Sequence, residues 1–225
     1  IRFARNFGKE AAMAAGAHKL TLPVSASHAH SLANVRCTPD EMVGKLHAIC
    51  RLRDETAPHV AIEAGISTAF GCPFDGEVPV RQVVGVAERC VGQEIFELAL
   101  ADTIGVAAPS DVHERFRAVQ AAIPAHIQLR AHFHNTRNTA LANAVAAVEE
   151  GVRVLDGSLA GIGGCPFAPG AAGNVPTEDL AYMFARMGFD TGVDLDRAVD
   201  AAKFIGGVLG RATPGMVSRA PKWPK

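Results

Sequence analysis

The sequence contains no apolar run approaching the ~20 residues that cross a bilayer, so no membrane span and no membrane partner is expected. It has no surplus of basic charge either. Its 22 Lys and Arg against 23 Asp and Glu give a formal net charge of −1, which does not suit a nucleic-acid-binding surface. Cysteine is sparse and not arranged in pairs. The five cysteines (Cys37, Cys50, Cys72, Cys90 and Cys165) are odd in number and include no C-x-x-C. That spacing argues against a disulfide framework or a structural zinc site and for free thiols in a reducing compartment. No G-x-G-x-x-G follows the first strands, which weakens a dinucleotide-binding reading. The opening Ile1-Arg2-Phe3-Ala4 shows no charged leader with an apolar stretch and reads as the end of a strand. Secretion is not expected, and the chain is expected to begin inside a larger fold.

What is present is a regular alternation of apolar strand-like runs and amphipathic helical ones. Strands are expected at Lys19 to Val24, His59 to Ser67, Phe96 to Ala101, Ile127 to His134 and Val152 to Leu159, with Ile1 to Phe7 as a remnant. Helices are expected at Pro39 to Arg53, Val78 to Cys90, Asp111 to Ala122, Thr139 to Glu150 and Thr177 to Met187. Nearly continuous apolar strands, each followed by a helix, predict a parallel sheet with helices covering it. Polar residues gather at the C-terminal ends of successive strands: Asp102, His132, His134 and the loop beginning at Gly161. That is the rim on which (β/α)8 barrels build active sites. The expectation is α/β, a TIM barrel with about six of its eight strands in this chain. Residues 1–214 form the partial barrel, and 215–225 form a proline-containing tail expected to be poorly ordered.

Within that frame, Gly161 to Asn174 is the most distinctive segment. Five glycines, two prolines and Cys165 in fourteen residues rule out a helix or a central strand and specify a shaped loop. Cys165 reads either as a small buried hydrophobe or as a reactive thiol, and the glycine-rich setting favours the second. His132-Phe133-His134 lies at a strand end, where residues two apart share a face and both imidazoles can reach one ion. His28-Ala29-His30 falls where a strand gives way to turn or helix, and there the two rings diverge. Asp102 reads either as a carboxylate orienting a ligand or as a cap on the next turn. Asn174 offers an amide oxygen to a hard metal. Two imidazoles with oxygen ligands, and no thiolate on the metal, suit a catalytic Mg2+-, Mn2+- or Zn2+-type site. Cys50 and Cys90 lie in helical apolar patterns and are expected in the core, whereas Cys72 is a second loop thiol.

Gly-Gly-Cys-Pro-Phe-Ala-Pro-Gly-Ala at 163–171 resembles the signature loop of 3-hydroxy-3-methylglutaryl-CoA lyases. The resemblance extends to Gly-Cys-Pro-Phe-Asp-Gly (71–76), Ala-Asp-Thr-Ile-Gly (101–105), His-Phe-His-Asn-Thr (132–136) and Gly-Asn-Val-Pro-Thr-Glu-Asp-Leu (173–180). It runs in order along essentially the whole chain. Related isopropylmalate and homocitrate synthases carry Gly-Glu-Arg in this loop, so Gly-Cys-Pro points to cleavage rather than synthesis.

The resemblance implies a metal-dependent barrel that splits 3-hydroxy-3-methylglutaryl-CoA into acetyl-CoA and acetoacetate, a step of leucine degradation and ketone-body formation. It implies a divalent ion, Mg2+ or Mn2+, on His132, His134 and Asn174. Cys165 is then the acid/base, Asp102 orients substrate or ligand, and Gly163, Gly164 and Cys72 contact the substrate. It implies an acyl-CoA partner and a homodimer, in the cytoplasm for a bacterial-type protein or the mitochondrial matrix for a eukaryotic one. The family's Arg-Asp pair on the first strand and its second-strand glutamate have no counterpart here. Asn135 stands where the family usually has Asp, and Ala99 and Ala101 stand where human-type enzymes have Ser and Gly. A lyase acting on a related thioester such as citramalyl-CoA, and a catalytically silent shortened homologue, are the alternatives.

Overall fold

The structure, a computed structural model, describes residues 2–3, 8–92, 94–164 and 173–222. Six parallel strands make one sheet: β1 (Arg2–Phe3), β2 (Lys19–Ser25), β3 (Ala61–Ser67), β4 (Glu97–Asp102), β5 (Gln128–Phe133) and β6 (Val154–Asp156). Each strand pairs with the next in sequence, in the order β1-β2-β3-β4-β5-β6. A doubly wound sheet reverses its strand order at a switch point; an unreversed run of parallel neighbours is the wall of a barrel. The fold is therefore α/β of the barrel type, with six strands of the eight.

Local chemistry starts the helices where the chain needs them. Eight are present among the described residues: α1 (Lys9–Ala14), α2 (His28–Val35), α3 (Pro39–Thr56), α4 (Val80–Cys90), α5 (Pro109–Ala122), α6 (Ala140–Glu149), α7 (Thr177–Arg186) and α8 (Leu195–Leu209). At α3 the Thr38 hydroxyl accepts from Glu41 N at 3.1 Å and the Glu41 carboxylate accepts from Thr38 N at 2.7 Å, with Pro39 opening the first turn. At α8 Asp194 accepts from Arg197 N, and the helix stops at left-handed Gly210. No helix among the described residues is long and apolar enough to cross a membrane.

The core lies between the sheet and these helices. Leu20, Leu22, Val24, Ile62, Ile66, Leu98, Leu100 and Phe133 are fully buried and alternate along their strands. They pack with Leu46, Val83, Val86 and Phe116 from the helices. Cys50 and Cys90 join this core as expected, and burial pushes the Cys90 thiol up to about 12.

Strand side chains alternate between faces, and the opposite face of the sheet is not apolar. It carries Lys19, Thr21, Glu63, Glu97, Arg130, His132 and Asp156, which contact one another across strands. The expectation of nearly continuous apolar strands is corrected on this point. Charged residues tolerate this face because carboxylates and cations pair with one another there.

Two segments differ from their expected form. Instead of a strand from Val152 to Leu159, pairing covers only Val154–Asp156, and a 3-10 turn, Leu159–Gly161, follows. The tail is also held rather than loose through residue 222. Asp179 on α7 accepts from Met216 N and Val217 N, the latter at 2.8 Å, and Gly215 N donates to Ala160 O. The carboxylate acts as a cap that the proline-rich composition of the tail gave no reason to expect.

Candidate active site

The C-terminal end of β5 is the centre of the site. His132 and His134 lie on one face, as residues two apart on a strand must, with ring centroids 5.2 Å apart and planes at 70°. Beyond Phe133 the chain continues in extended form, and His134 pairs with Asn174 in an isolated antiparallel bridge. Val175 N donates to Phe133 O at 3.0 Å and Asn135 N to Gly173 O at 3.1 Å, which fixes the returning end of the glycine-rich loop against β5. Asn174 is thereby brought beside His134 from a distant part of the sequence, far beyond the reach of any local turn.

Two glycines make this approach possible. Gly105 has φ +61, and a Cβ there would lie 2.8 Å from both His134 O and the Thr136 side chain. Gly163 has φ +97, and a Cβ would lie 2.8 Å from Asn174 Nδ2. Gly163 therefore shapes the seat of Asn174, whose Nδ2 donates to Ile162 O at 3.1 Å. With its nitrogen so engaged, the amide keeps its Oδ1 as the ligand-type atom. Gly164 ends this described stretch, and Cys165 lies outside the described residues.

Asp156 was not anticipated from the sequence. It sits on β6 directly opposite His132 in the strand register, and its Oδ1 is 3.0 Å from His132 Nδ1. Its Oδ2 accepts from Arg130 Nη1. Burial alone would raise the Asp156 carboxyl, but the His132 hydrogen bond, the His132 charge and Arg130 outweigh it and hold the group below the usual carboxylate range. Cross-strand register was the missing signal: the even-numbered positions of β5 and β6 share a face, and Arg130, His132 and Asp156 are all even.

Below this layer Arg130 also reaches Glu63 through Nη2, and its Nε lies 3.0 Å from Glu97 Oε1. Lys19 Nζ lies 2.7 Å from Glu97 Oε1 and 3.1 Å from Glu63 Oε2. The Thr21 hydroxyl donates to Glu63 at 2.9 Å. Glu63, Glu97 and Arg130 are all buried.

The structure places Asp102 differently from the expectation that it faces substrate or ligand. In register it opposes Phe133, on the helix-facing side, while its neighbour Ala101 opposes His132. Its oxygens accept from Val106 N and Ala107 N, each at 3.0 Å. Asp102 is a fully buried cap of the β4–α5 loop, and burial raises its carboxyl despite those amide donors. Its backbone still serves the site, since His134 N donates to Asp102 O.

Cys72 is likewise structural in its contacts. Its buried Sγ receives Phe74 N and Asp75 N at 3.3 Å and lies 2.9 Å from the Ser27 hydroxyl, closing the turn between Cys72 and Gly76. His28 and His30 fall in α2, where they diverge. His30 is buried with Nδ1 2.9 Å from Ser25 Oγ, and burial lowers its pKa.

The donor set fits part of a divalent-metal site. Two imidazoles lie side by side, Asn174 pairs with His134 through the backbone, and the Asp156 carboxylate engages Nδ1 of His132, the kind of contact that orients histidine ligands. Among the described residues no group of three His, Cys, Asp or Glu side chains is placed to hold an ion.

A parallel α/β barrel wall bearing a histidine pair at the C-terminal end of β5 belongs to the class of barrels that carry their sites on that rim. The HMGL-like family model matches residues 4–205, and the chain belongs to that family. It is 40% identical to a hydroxymethylglutaryl-CoA lyase of Bacillus subtilis over 92% of this chain and 68% of the relative. It is 41% identical to an (R)-citramalyl-CoA lyase of Chloroflexus aurantiacus over 97% of this chain and 68% of that protein. A solved HMG-CoA lyase from Acinetobacter baumannii, in complex with coenzyme A and 3-methylmalate, superposes with a TM-score of 0.88 at 38% identity, covering 96% of this chain and 69% of that one. The chain spans about two thirds of the length of the curated relatives it matches.

Proposed function

We propose that this chain carries most of the active site of a carbon–carbon lyase that cleaves a 3-hydroxy-3-methylacyl-CoA, with 3-hydroxy-3-methylglutaryl-CoA as the substrate and acetyl-CoA and acetoacetate as products. The observation that carries the proposal is the convergence of His132, His134 and Asn174 at the rim, in a chain whose relatives are named hydroxymethylglutaryl-CoA lyases.

His132 and His134 would hold a divalent ion, Mg2+ or Mn2+, with Asn174 Oδ1 as a third donor. When bound, such an ion polarises the substrate's hydroxyl and carbonyl oxygens. Asp156 keeps the proton of His132 on Nδ1, so that Nε2 presents its lone pair to the site. Gly163 and Gly164 let the loop backbone approach the substrate closely. In the reaction the tertiary hydroxyl gives up its proton and its electron pair becomes the carbonyl of acetoacetate. The C–C bond to the thioester arm breaks, and the carbanion left on acetyl-CoA takes a proton. Cys165, on the same loop as Asn174, is proposed to deliver that proton as the acid/base. Asp102 supports this set as the cap that holds the β4–α5 loop beside His134. A cytoplasmic location of the bacterial type, a role in leucine degradation and a homodimeric assembly belong to the same reading.

Citramalyl-CoA is the second substrate to consider, because the (R)-citramalyl-CoA lyase is as similar as the hydroxymethylglutaryl-CoA lyase. A panel of hydroxyacyl-CoA thioesters separates the two. The reading predicts the highest kcat/KM for 3-hydroxy-3-methylglutaryl-CoA. A higher kcat/KM for citramalyl-CoA reassigns the substrate, and no cleavage of any member favours a catalytically silent homologue.

A further inference from the structure

Arg130 lies two residues before His132 on the same face of β5, and its guanidinium contacts carboxylates from three other strands: Glu63 on β3, Glu97 on β4 and Asp156 on β6. Nη1 donates to Asp156 and Nη2 to Glu63, while Nε lies 3.0 Å from Glu97 Oε1 as an ion pair without a hydrogen bond, so carboxylates hold the guanidinium from three sides. Lys19 from β2 closes the cluster by contacting Glu63 and Glu97 together. Arginine suits this place because its donors diverge in one plane, whereas lysine offers a single ammonium.

The consequence falls on Asp156. A carboxylate that accepts only from a histidine can rotate about its own bond and carry the imidazole with it. Asp156 is held at both oxygens instead, Oδ1 by His132 and Oδ2 by Arg130. Its plane is set by Arg130, and the plane of the His132 ring follows. Glu63 and Glu97, buried beneath, keep Arg130 from swinging toward the rim. The cluster holds three carboxylates against two cations, which leaves one surplus negative charge directly below the histidine pair.

We propose that Arg130 is a positioning residue for the metal site: through Asp156 it fixes the orientation and tautomer of His132, and the surplus negative charge of its cluster favours a divalent cation on His132 and His134. The inference rests on the metal-site reading above.

The test uses the native polypeptide with Mn2+ as the probe, its dissociation constant read by calorimetry or electron paramagnetic resonance. Arg130→Lys keeps the charge and removes the fork. It should weaken Mn2+ binding by about 10- to 100-fold, the range typical of lost outer-shell support. Asp156→Asn should weaken it to a similar degree. The double variant should bind no worse than Asp156→Asn alone, because Arg130 acts through that carboxylate. Should Arg130→Lys not fold, Arg130→Gln combined with Glu63→Gln removes one charge of each sign and is expected to give the same loss. A purely structural role would lower the unfolding temperature and leave the folded protein's Mn2+ affinity unchanged. That result, or effects of Arg130→Lys and Asp156→Asn that simply add, overturns the proposal. His132→Ala and His134→Ala distinguish loss of the metal site from loss of the positioning role. If both bind Mn2+ like the wild type, the metal-site reading itself falls and the positioning role with it. If they lose Mn2+ while Arg130→Lys does not, only the positioning role falls.

Discussion

At the scale of single residues, the chemistry depends on which nitrogen and which oxygen each side chain has left after its structural hydrogen bonds. His132 commits Nδ1 to Asp156, and Asn174 commits Nδ2 to Ile162, which leaves Nε2 and Oδ1 as their ligand-type atoms. Replacing either His132 or His134 by Ala should therefore reduce bound metal, measured by equilibrium dialysis, and an undiminished metal content would contradict the site. Cys165→Ser should do the reverse. It should lower kcat by orders of magnitude, as loss of a general acid commonly costs ~100-fold or more, while leaving metal content intact. Glu178 offers a test of stability. It is buried on α7, accepts from Ala160 N, and its carboxyl is raised first by burial and then, against opposing hydrogen bonds, by neighbouring Asp179. A raised folded-state pKa means that the fold favours the protonated acid. The stabilisation is complete below the unfolded value, near 4.3, and is lost as pH rises through the folded one. Glu178→Gln should accordingly be more stable than the wild type to urea at pH 7.5, with the advantage shrinking toward pH 4. An advantage independent of pH would show that ionisation is not its cause.

At the scale of elements, strand periodicity decides both what the sequence disclosed and what it concealed. The His132-x-His134 pair was legible because residues two apart on a strand share a face whatever the strand pairs with. The loop that delivers Asn174 was legible from its glycines and prolines. Asp156, Arg130, Glu63, Glu97 and Lys19 were not, because their meaning lies in the register between strands, and register is invisible in one sequence until the sheet order is known. The same geometry explains Asp102. One position past Ala101, it faces the helices and caps a loop, a role that composition alone could not separate from ligand support. Arg130→Met should make the cost of this buried network measurable. Leaving Glu63 and Glu97 without their guanidinium should cost about 3–5 kcal/mol of unfolding free energy by urea titration. The α7–tail contact makes a milder prediction. Asp179→Ala removes the acceptor for Met216 N and Val217 N, and residues 215–222 should become readily cleaved in limited proteolysis while the barrel remains intact.

At the scale of the molecule, the strand order settles the architecture. Six parallel strands in unbroken sequence order form a barrel wall, and the open-sheet alternative requires a reversal that is not there. The alternation of strands and helices in the sequence already pointed this way, although helices α1 and α8 were not anticipated. The tail, expected to be loose, is tied to α7 at Met216 and Val217 and to α8 through Lys222 and Asp196. The wall gathers the histidine pair, Asn174 and Asp156 at one rim, and the chain belongs to the HMGL-like family. The most direct test of the account is cleavage of 3-hydroxy-3-methylglutaryl-CoA by the native polypeptide before and after chelation. Acetyl-CoA and acetoacetate are expected in equal amounts, with loss of turnover on removal of divalent ions and its return with Mg2+ or Mn2+. Turnover indifferent to chelator, or no cleavage with either metal supplied, would contradict it.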